Sequence, residues 1–307
     1  MLSNQQIAQK TDAIIKACQG LGTREKAIID VVTSSTYKDL ARVAKAYTAF
    51  TGKSLEKLIK AETSKGFEKG LVQLFNDRYV VCAERINDNL KDERQLAEAI
   101  ITLTEEDIPI ITEAYFNLFA KDIFEDIHKT VSATKDYGLL FRAWMNQMRY
   151  ARNTIKEDAK LLFEAAKGAG TKEEVFIRIL CTSTPDEYKQ IVQSFQQQFG
   201  KSLAQTIKAE FTGVSEYAFL LAHNFAQGRE QGVAFVISRA KLNNKNSLYV
   251  ICSTSVGIDK KKLSSVFSEY GEIRAYVKKI ATGDYERLLL ALLTENVAGG
   301  LFRRCCG

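Results

Sequence analysis

The chain has 307 residues, nearly half of them apolar, enough to bury one large core or two ordinary ones. Only Pro109 and Pro185 interrupt it, which favours an all-helical chain because proline breaks helix interiors. The net charge of +6 suits an acidic partner such as a phospholipid surface, and no aromatic interleaving of basic residues supports nucleic-acid binding.

The opening "MLSNQQIAQK" lacks a basic region followed by an apolar run, so no signal peptide is expected. Apolar spacing then turns helical. Ile14, Ile15 and Cys18 share a face, as do Ile28, Ile29 and Val32. Between them lies "KACQGLGTREKAII", where Gly20 and Gly22 break the pattern. Taken alone, such a corner reads as a helix connection, with Gly20 ending one helix and Thr23 capping the next. Leu55, Leu58 and Ile59 continue the helical pattern, followed by Phe67, Leu71 and Leu74.

The whole sequence of events recurs 148 residues later. Gly22 falls on Gly170, Ser35-Thr36 on Ser183-Thr184, Gly52-Lys53-Ser54-Leu55 on Gly200-Lys201-Ser202-Leu203, and Ile59-Lys60-Ala61-Glu62 on Ile207-Lys208-Ala209-Glu210. A middle unit shows at an offset of 68, which sets Thr36 on Thr104 and Tyr47 on Tyr115. A fourth shows near the end, where "TGDYERLLLALL" echoes "TGVSEYAFLLAH" and "SKGFEKGLVQLF". The expected division is a short N-terminal tail (1–7), repeats at 8–78, 79–150, 154–226 and 230–297, and a C-terminal tail (298–307). Each repeat holds four or five short helices that cannot bury their apolar stripes alone, so the repeats must pack together.

In both glycine-bearing copies an acid follows at a fixed distance: Glu62 lies 40 residues after Gly22, and Glu210 lies 40 after Gly170. A tight loop can turn several carbonyl oxygens toward one point, and a distant carboxylate can close the cage. Ca2+ accepts about 6 to 8 oxygen ligands, many of them carbonyls or waters, and suits this better than the rigid octahedron of Mg2+.

Four repeats with Gly-x-Gly-Thr and an acid about 40 residues on resemble the annexin family across almost the whole chain. The lost sites and the absence of a long N-terminal tail look like its alpha-giardin branch. The resemblance implies an all-α fold of four annexin-like repeats, each of about five short helices, packed into one curved disc. It implies Ca2+ ligands from the carbonyls of Cys18, Gly20 and Gly22 with the Glu62 carboxylate, and from Ala166, Gly168 and Gly170 with Glu210. Secondary sites would use Thr23 with Glu25, and Thr171 with Glu173. At offset 68, Gly20 becomes Asp88, Gly22 becomes Leu90 and Glu62 becomes Thr130. In the fourth repeat the loop reads "AKLNNKNSL" and the acid position falls near Ile280 or Ala281, so neither repeat is expected to hold such a site.

The function so implied is calcium-dependent peripheral binding to acidic phospholipid membranes through ion bridging. The protein would be cytoplasmic, at the inner face of the plasma membrane. The loop tips Leu21 and Ala169 would touch the headgroup region. The alternative is a structural scaffold associated with cytoskeletal filaments, in the cytoskeleton or flagella, with weak or calcium-independent lipid binding.

The remaining motifs carry less. "GKS" at Gly52 and Gly200 suggests a phosphate loop, but that motif needs a further glycine where Tyr47 and Phe195 stand. His128 and His223 fall in unrelated places, so no catalytic constellation forms and no enzyme is expected. Trp144 reads as core. "DKKKL" at Asp259 reads as a solvated helix face, and Lys241 and Lys245 offer a calcium-independent lipid contact. The six cysteines read as mostly reduced core thiols of a cytosolic protein. In "FRRCCG", Cys305 and Cys306 read as idle thiols, because Arg304 occupies the position a prenylation signal needs for cysteine.

Overall fold

The computed structural model describes residues 1–20, 22–132, 134–167, 170–241 and 245–295, apart from the side chains of Lys65 and residues 245–249. Among these the chain forms twenty α-helices and no strand. They fall into four sets of five. The first is α1 (Asn4–Ala17), α2 (Glu25–Thr33), α3 (Tyr37–Thr51), α4 (Leu55–Glu62) and α5 (Lys65–Phe75). The second is α6 (Arg78–Asp88), α7 (Glu93–Ile101), α8 (Asp107–Phe119), α9 (Ile123–Thr130) and α10 (Asp136–Met145). The third is α11 (Ile155–Ala165), α12 (Glu173–Thr182), α13 (Pro185–Phe199), α14 (Leu203–Glu210) and α15 (Gly213–Gln227). The fourth is α16 (Arg229–Arg239), α17 (Lys245–Ser255), α18 (Lys260–Phe267), α19 (Ile273–Ile280) and α20 (Gly283–Leu293).

Local chemistry sets many of these boundaries. Ser3 and Gln6 form a capping box at the start of α1, and Ser202 and Gln205 do the same for α14. Thr36, Ser54, Asp77, Asp92, Asp122 and Thr184 each accept a backbone amide at a helix start. The two "GKS" stretches are helix joints. Gly52 and Gly200 end α3 and α13 in the left-handed conformation, and Ser54 and Ser202 open the next helix. Helix α1 starts at Asn4, and the Leu2 amide donates to the buried Asp39 carboxylate at 3.0 Å, which ties the N-terminus to α3.

The apolar stripes close on one continuous core. Trp144 lies in it, with its indole N–H donating to the Leu103 carbonyl at 3.0 Å. His223 is buried. Its Nδ1 shares a hydrogen bond of 2.9 Å with the Tyr188 hydroxyl, and burial lowers its pKa to about 4. His128 is exposed. Cys82, Cys181 and Cys252 are buried free thiols, and Cys18 is half-buried. Cys305 and Cys306 lie outside the described residues.

The sets do not stack as an open row in which each touches only its neighbours. Helices α7 and α10 pack on α15, α15 on α16, and α17 on both α5 and α7. Helix α20 returns to α2 and α5, so the last set seals the first. Gly66 and Gly70 make room there: a Cβ on Gly66 would meet the Tyr285 ring at 2.4 Å, and one on Gly70 would meet it at 3.1 Å. The "DKKKL" run is more than a solvated face. Asp259 caps α18, Lys260 donates to the Ala291 carbonyl at 2.7 Å, and Lys262 pairs with the mostly buried Glu230 at 2.6 Å.

Candidate metal site at two glycine loops

Helix α1 ends at Cys18, and six residues separate that cap from α2. The chain reverses inside them: the Arg24 amide donates to the Ala17 carbonyl at 2.8 Å, closing the loop at its neck. The Arg24 guanidinium also donates to the Lys16 carbonyl. Gly20 and Gly22 have φ of +97° and +84°, a conformation that side chains disfavour, and nothing lies within 4 Å of where their Cβ atoms would stand. Among the described residues no hydrogen bond reaches the carbonyls of Cys18, Gly20 or Gly22. Helix-end carbonyls normally find a partner, so these are oxygens available to a ligand.

The acid arrives from α4, whose last residue is Glu62. The Thr23 hydroxyl lies 3.1 Å from Glu62 Oε2 and 3.0 Å from the Glu62 carbonyl oxygen, and so clasps the helix end to the loop. This corrects the reading of Thr23 as a helix cap. The cap position of α2 is Arg24, with no side-chain bond, and the threonine hydroxyl serves the acid instead. Glu62 is half-buried, and no lysine or arginine pairs with it among the described residues. Burial, then the charges of Glu62 and Glu25, push the Cys18 thiol up to about 11. It stays a neutral thiol, and any part Cys18 has in binding a cation falls to its backbone.

The third set repeats this arrangement. Helix α11 caps at Ala166, six residues precede α12, and the Lys172 amide donates to the Ala165 carbonyl at 3.1 Å. Gly170 has φ +97°, like Gly20, with no atom near its would-be Cβ. Thr171 donates to Glu210 Oε2 at 2.9 Å, and Glu210 ends α14 as Glu62 ends α4. Here too the cap falls to the following residue, Lys172, with no side-chain bond, so Thr171 and Glu174 form no capping box. Glu25 and Glu173 open α2 and α12, both half-buried. Gly168, Ala169 and Leu21 lie outside the described residues.

The other two corners are built differently. Only three residues separate the α6 cap Asn89 from α7, and the Asp92 amide donates to the Asn89 carbonyl at 2.9 Å. The ungapped pairing of Gly20 with Asp88 therefore fails. Asp88 is the last residue of α6, and the loop is three residues shorter. Thr130 ends α9 where Glu62 ends α4, with its hydroxyl donating to the Asp126 carbonyl of its own helix. In the fourth set Ile280 ends α19 and is buried, which settles the choice between Ile280 and Ala281. Its loop follows Ala240, and residues 242–244 lie outside the described residues.

The donor set at the two glycine corners fits a hard, oxygen-preferring cation. Among the described residues it offers unclaimed carbonyls at the first corner and, at each corner, one carboxylate without an ion pair, with no nitrogen or thiolate. No cluster of three or more histidine, cysteine or acidic side chains suited to a metal occurs among the described residues. The zinc and iron geometries that need such clusters therefore have no counterpart there.

Four five-helix sets around one core, with two of their corners opened by glycines, define an all-helical repeat protein. The family model described as Annexin matches residues 10–74 and 157–222, the two stretches that carry the open corners. Giardin subunit alpha-1 of Giardia intestinalis is 31% identical over 236 residues, covering 75% of this chain and 79% of that protein. Human annexin A13 is 28% identical over 291 residues, covering 91% of this chain and 92% of its own. Among solved structures, calcium-bound alpha-1 giardin superposes with a TM-score of 0.80 at 25% identity, covering 94% of this chain and 98% of the other. Calcium-bound alpha-14 giardin shares the fold with a TM-score of 0.84 at 22% identity, covering 94% and 100%. The chain belongs to the annexin family. Proteins of this family bind Ca2+ and are in general calcium-dependent phospholipid binders rather than enzymes.

Proposed function

We propose that this protein binds acidic phospholipid membranes peripherally and in a calcium-dependent way, through the loops of its first and third sets. The observation that carries the reading is the clasp repeated in both. A threonine beside the glycine loop holds, across 39 residues of sequence, a half-buried carboxylate that no cation neutralises among the described residues. The carbonyls of Cys18, Gly20 and Gly22 with Glu62 would hold one Ca2+. Ala166, Gly168 and Gly170 with Glu210 would hold another, with Thr23–Glu25 and Thr171–Glu173 as secondary positions. When bound, the ion supplies a positive centre with coordination positions left for a lipid phosphate oxygen. The chain's own part is geometric: the glycines keep side chains out of the loop, the neck bond fixes its width, and the threonine aims the acid. One carboxylate per loop makes each site low in charge, in the range of about 10⁻⁴ to 10⁻³ M. Two loops engaging one membrane would strengthen each other through effective concentration.

Co-sedimentation with phosphatidylserine vesicles, in calcium and in chelator, tests the reading. Glu62→Gln combined with Glu210→Gln should abolish calcium-dependent pelleting. If pelleting is unchanged, the site assignment is wrong. The loss of the open loop in the second and fourth sets supports a second reading, a scaffold on cytoskeletal filaments. Pelleting with filaments in chelator, in the absence of lipid, would favour it.

A further inference from the structure

Where the fourth set lost its acid it gained cations at the same corner. The helices that deliver the acids end in Ala61-Glu62 and Ala209-Glu210. Their equivalents end in Lys129-Thr130 and Lys279-Ile280. Loss of a negative side chain thus coincides with gain of a positive one at the adjoining residue.

The two exchanged corners differ in their surroundings. Lys129 pairs with Glu125 at 2.7 Å, and Asp126 lies three residues before it on α9. At the fourth corner Lys278 and Lys279 sit together in the last turn of α19, both exposed, and neither is in an ion pair among the described residues. Lys241, exposed and also unpaired, follows Ala240 in the loop that corresponds to the glycine loop of the first set. In the first set Thr23 and Glu62 tie those two parts together. Helix α16, which leads into the loop, packs on α19. Of the nearby acids, Asp284 is paired with Arg287 at 2.7 Å, and Glu272 lies at the opposite end of α19. Glu286 is half-buried, and Arg239 adds a further cation at the end of α16.

The wider charge distribution runs the same way. Residues 8–78 and 230–297 together carry 23 basic and 15 acidic residues, whereas 79–150 and 154–226 carry 16 and 22. The first and fourth sets pack on each other through α2, α5, α17 and α20. The molecule therefore has a positive half and a negative half.

We propose that the fourth corner is a calcium-independent contact for anionic phospholipid, in which Lys241, Lys278 and Lys279 meet lipid phosphates directly. The positive half then docks first, and calcium adds the loops of the first and third sets. This rests on the membrane reading above and adds the order in which the surfaces engage. Lysines at an anionic surface each contribute about fivefold in binding, and salt screens them.

The experiment compares the full-length protein on phosphatidylserine–phosphatidylcholine vesicles and on phosphatidylcholine vesicles, in chelator at low salt. The wild type should pellet with the first and not the second. Lys241→Glu/Lys278→Glu/Lys279→Glu should lower chelator binding by roughly a hundredfold, with an unchanged circular dichroism melt. Lys129→Glu, a charge reversal of the same kind at the second corner, should leave it unaltered. Glu62→Gln/Glu210→Gln should lose the calcium increment. Chelator binding that is absent, insensitive to the triple reversal, or equally sensitive to Lys129→Glu overturns the proposal. In each of those cases the calcium increment still reports separately on the loop sites.

Discussion

Removing the two threonine hydroxyls isolates the clasp from the charge it aims. Thr23→Val/Thr171→Val keeps shape and both carboxylates but deletes the bonds of 3.1 and 2.9 Å to Glu62 and Glu210. A hydrogen bond to a charged group contributes about 1.5 to 3 kcal/mol net, and the half-buried setting, where water can substitute, puts these at the lower end. About 1.4 kcal/mol is a factor of ten, which agrees with the tenfold or greater loss in metal affinity when a partner that orients a ligand is removed. Because both loops weaken equally, the calcium concentration for half-maximal pelleting of phosphatidylserine vesicles should rise roughly tenfold. The fold should hold, since neither hydroxyl caps the start of a helix. Thr23→Ser/Thr171→Ser keeps the donor and should stay near wild type. A midpoint that moves less than about twofold in the valine variant, or equally in both variants, would refute the idea that the clasp preorganises the acids.

Other consequences bear on stability. Burial holds the His223 imidazole neutral, with its pKa at about 4 against an ordinary 6.5, so the unfolded chain takes up a proton first as pH falls. Stability is complete above about 6.5 and is lost toward 4. Near pH 5 the loss is about 2 kcal/mol, and urea titration of His223→Gln beside the wild type should show the variant losing about that much less. Gly66→Ala should destabilise by about 1 to 3 kcal/mol through overpacking against the Tyr285 ring, and Tyr285→Leu in the same chain should relieve part of it. Trp144→Leu should cost on the order of 3 kcal/mol, because it leaves a cavity and removes the indole bond to the Leu103 carbonyl, which keeps only its Gln147 donor; thermal melts would measure it.

Much of this was legible because it is periodic. The 148-residue offset put Glu62 and Glu210 in register, and both prove to be the last residues of eight-residue helices. The clasp was missed although its signal stood in the sequence: Thr23 precedes Glu62, and Thr171 precedes Glu210, by the same 39 residues. Threonine before a helix reads first as a cap, and only the tertiary approach of a carboxylate turns the hydroxyl elsewhere. The second corner misled in the opposite sense. An ungapped offset hides a three-residue deletion, which the cap at Asp92 marks. His223 looked ordinary because burial on every side of α15 depends on helices distant in sequence.

The seal between α20 and the first set has a consequence for how the chain comes into being. During synthesis the apolar faces of α2 and α5 emerge some two hundred residues before α20, the partner that covers part of them. The first quarter of the nascent chain must therefore either hold those apolar residues against a temporary cover or wait, partly ordered, for the last. A chain truncated before α20 has both glycine loops but its central seam open, a form exposed to aggregation and proteolysis.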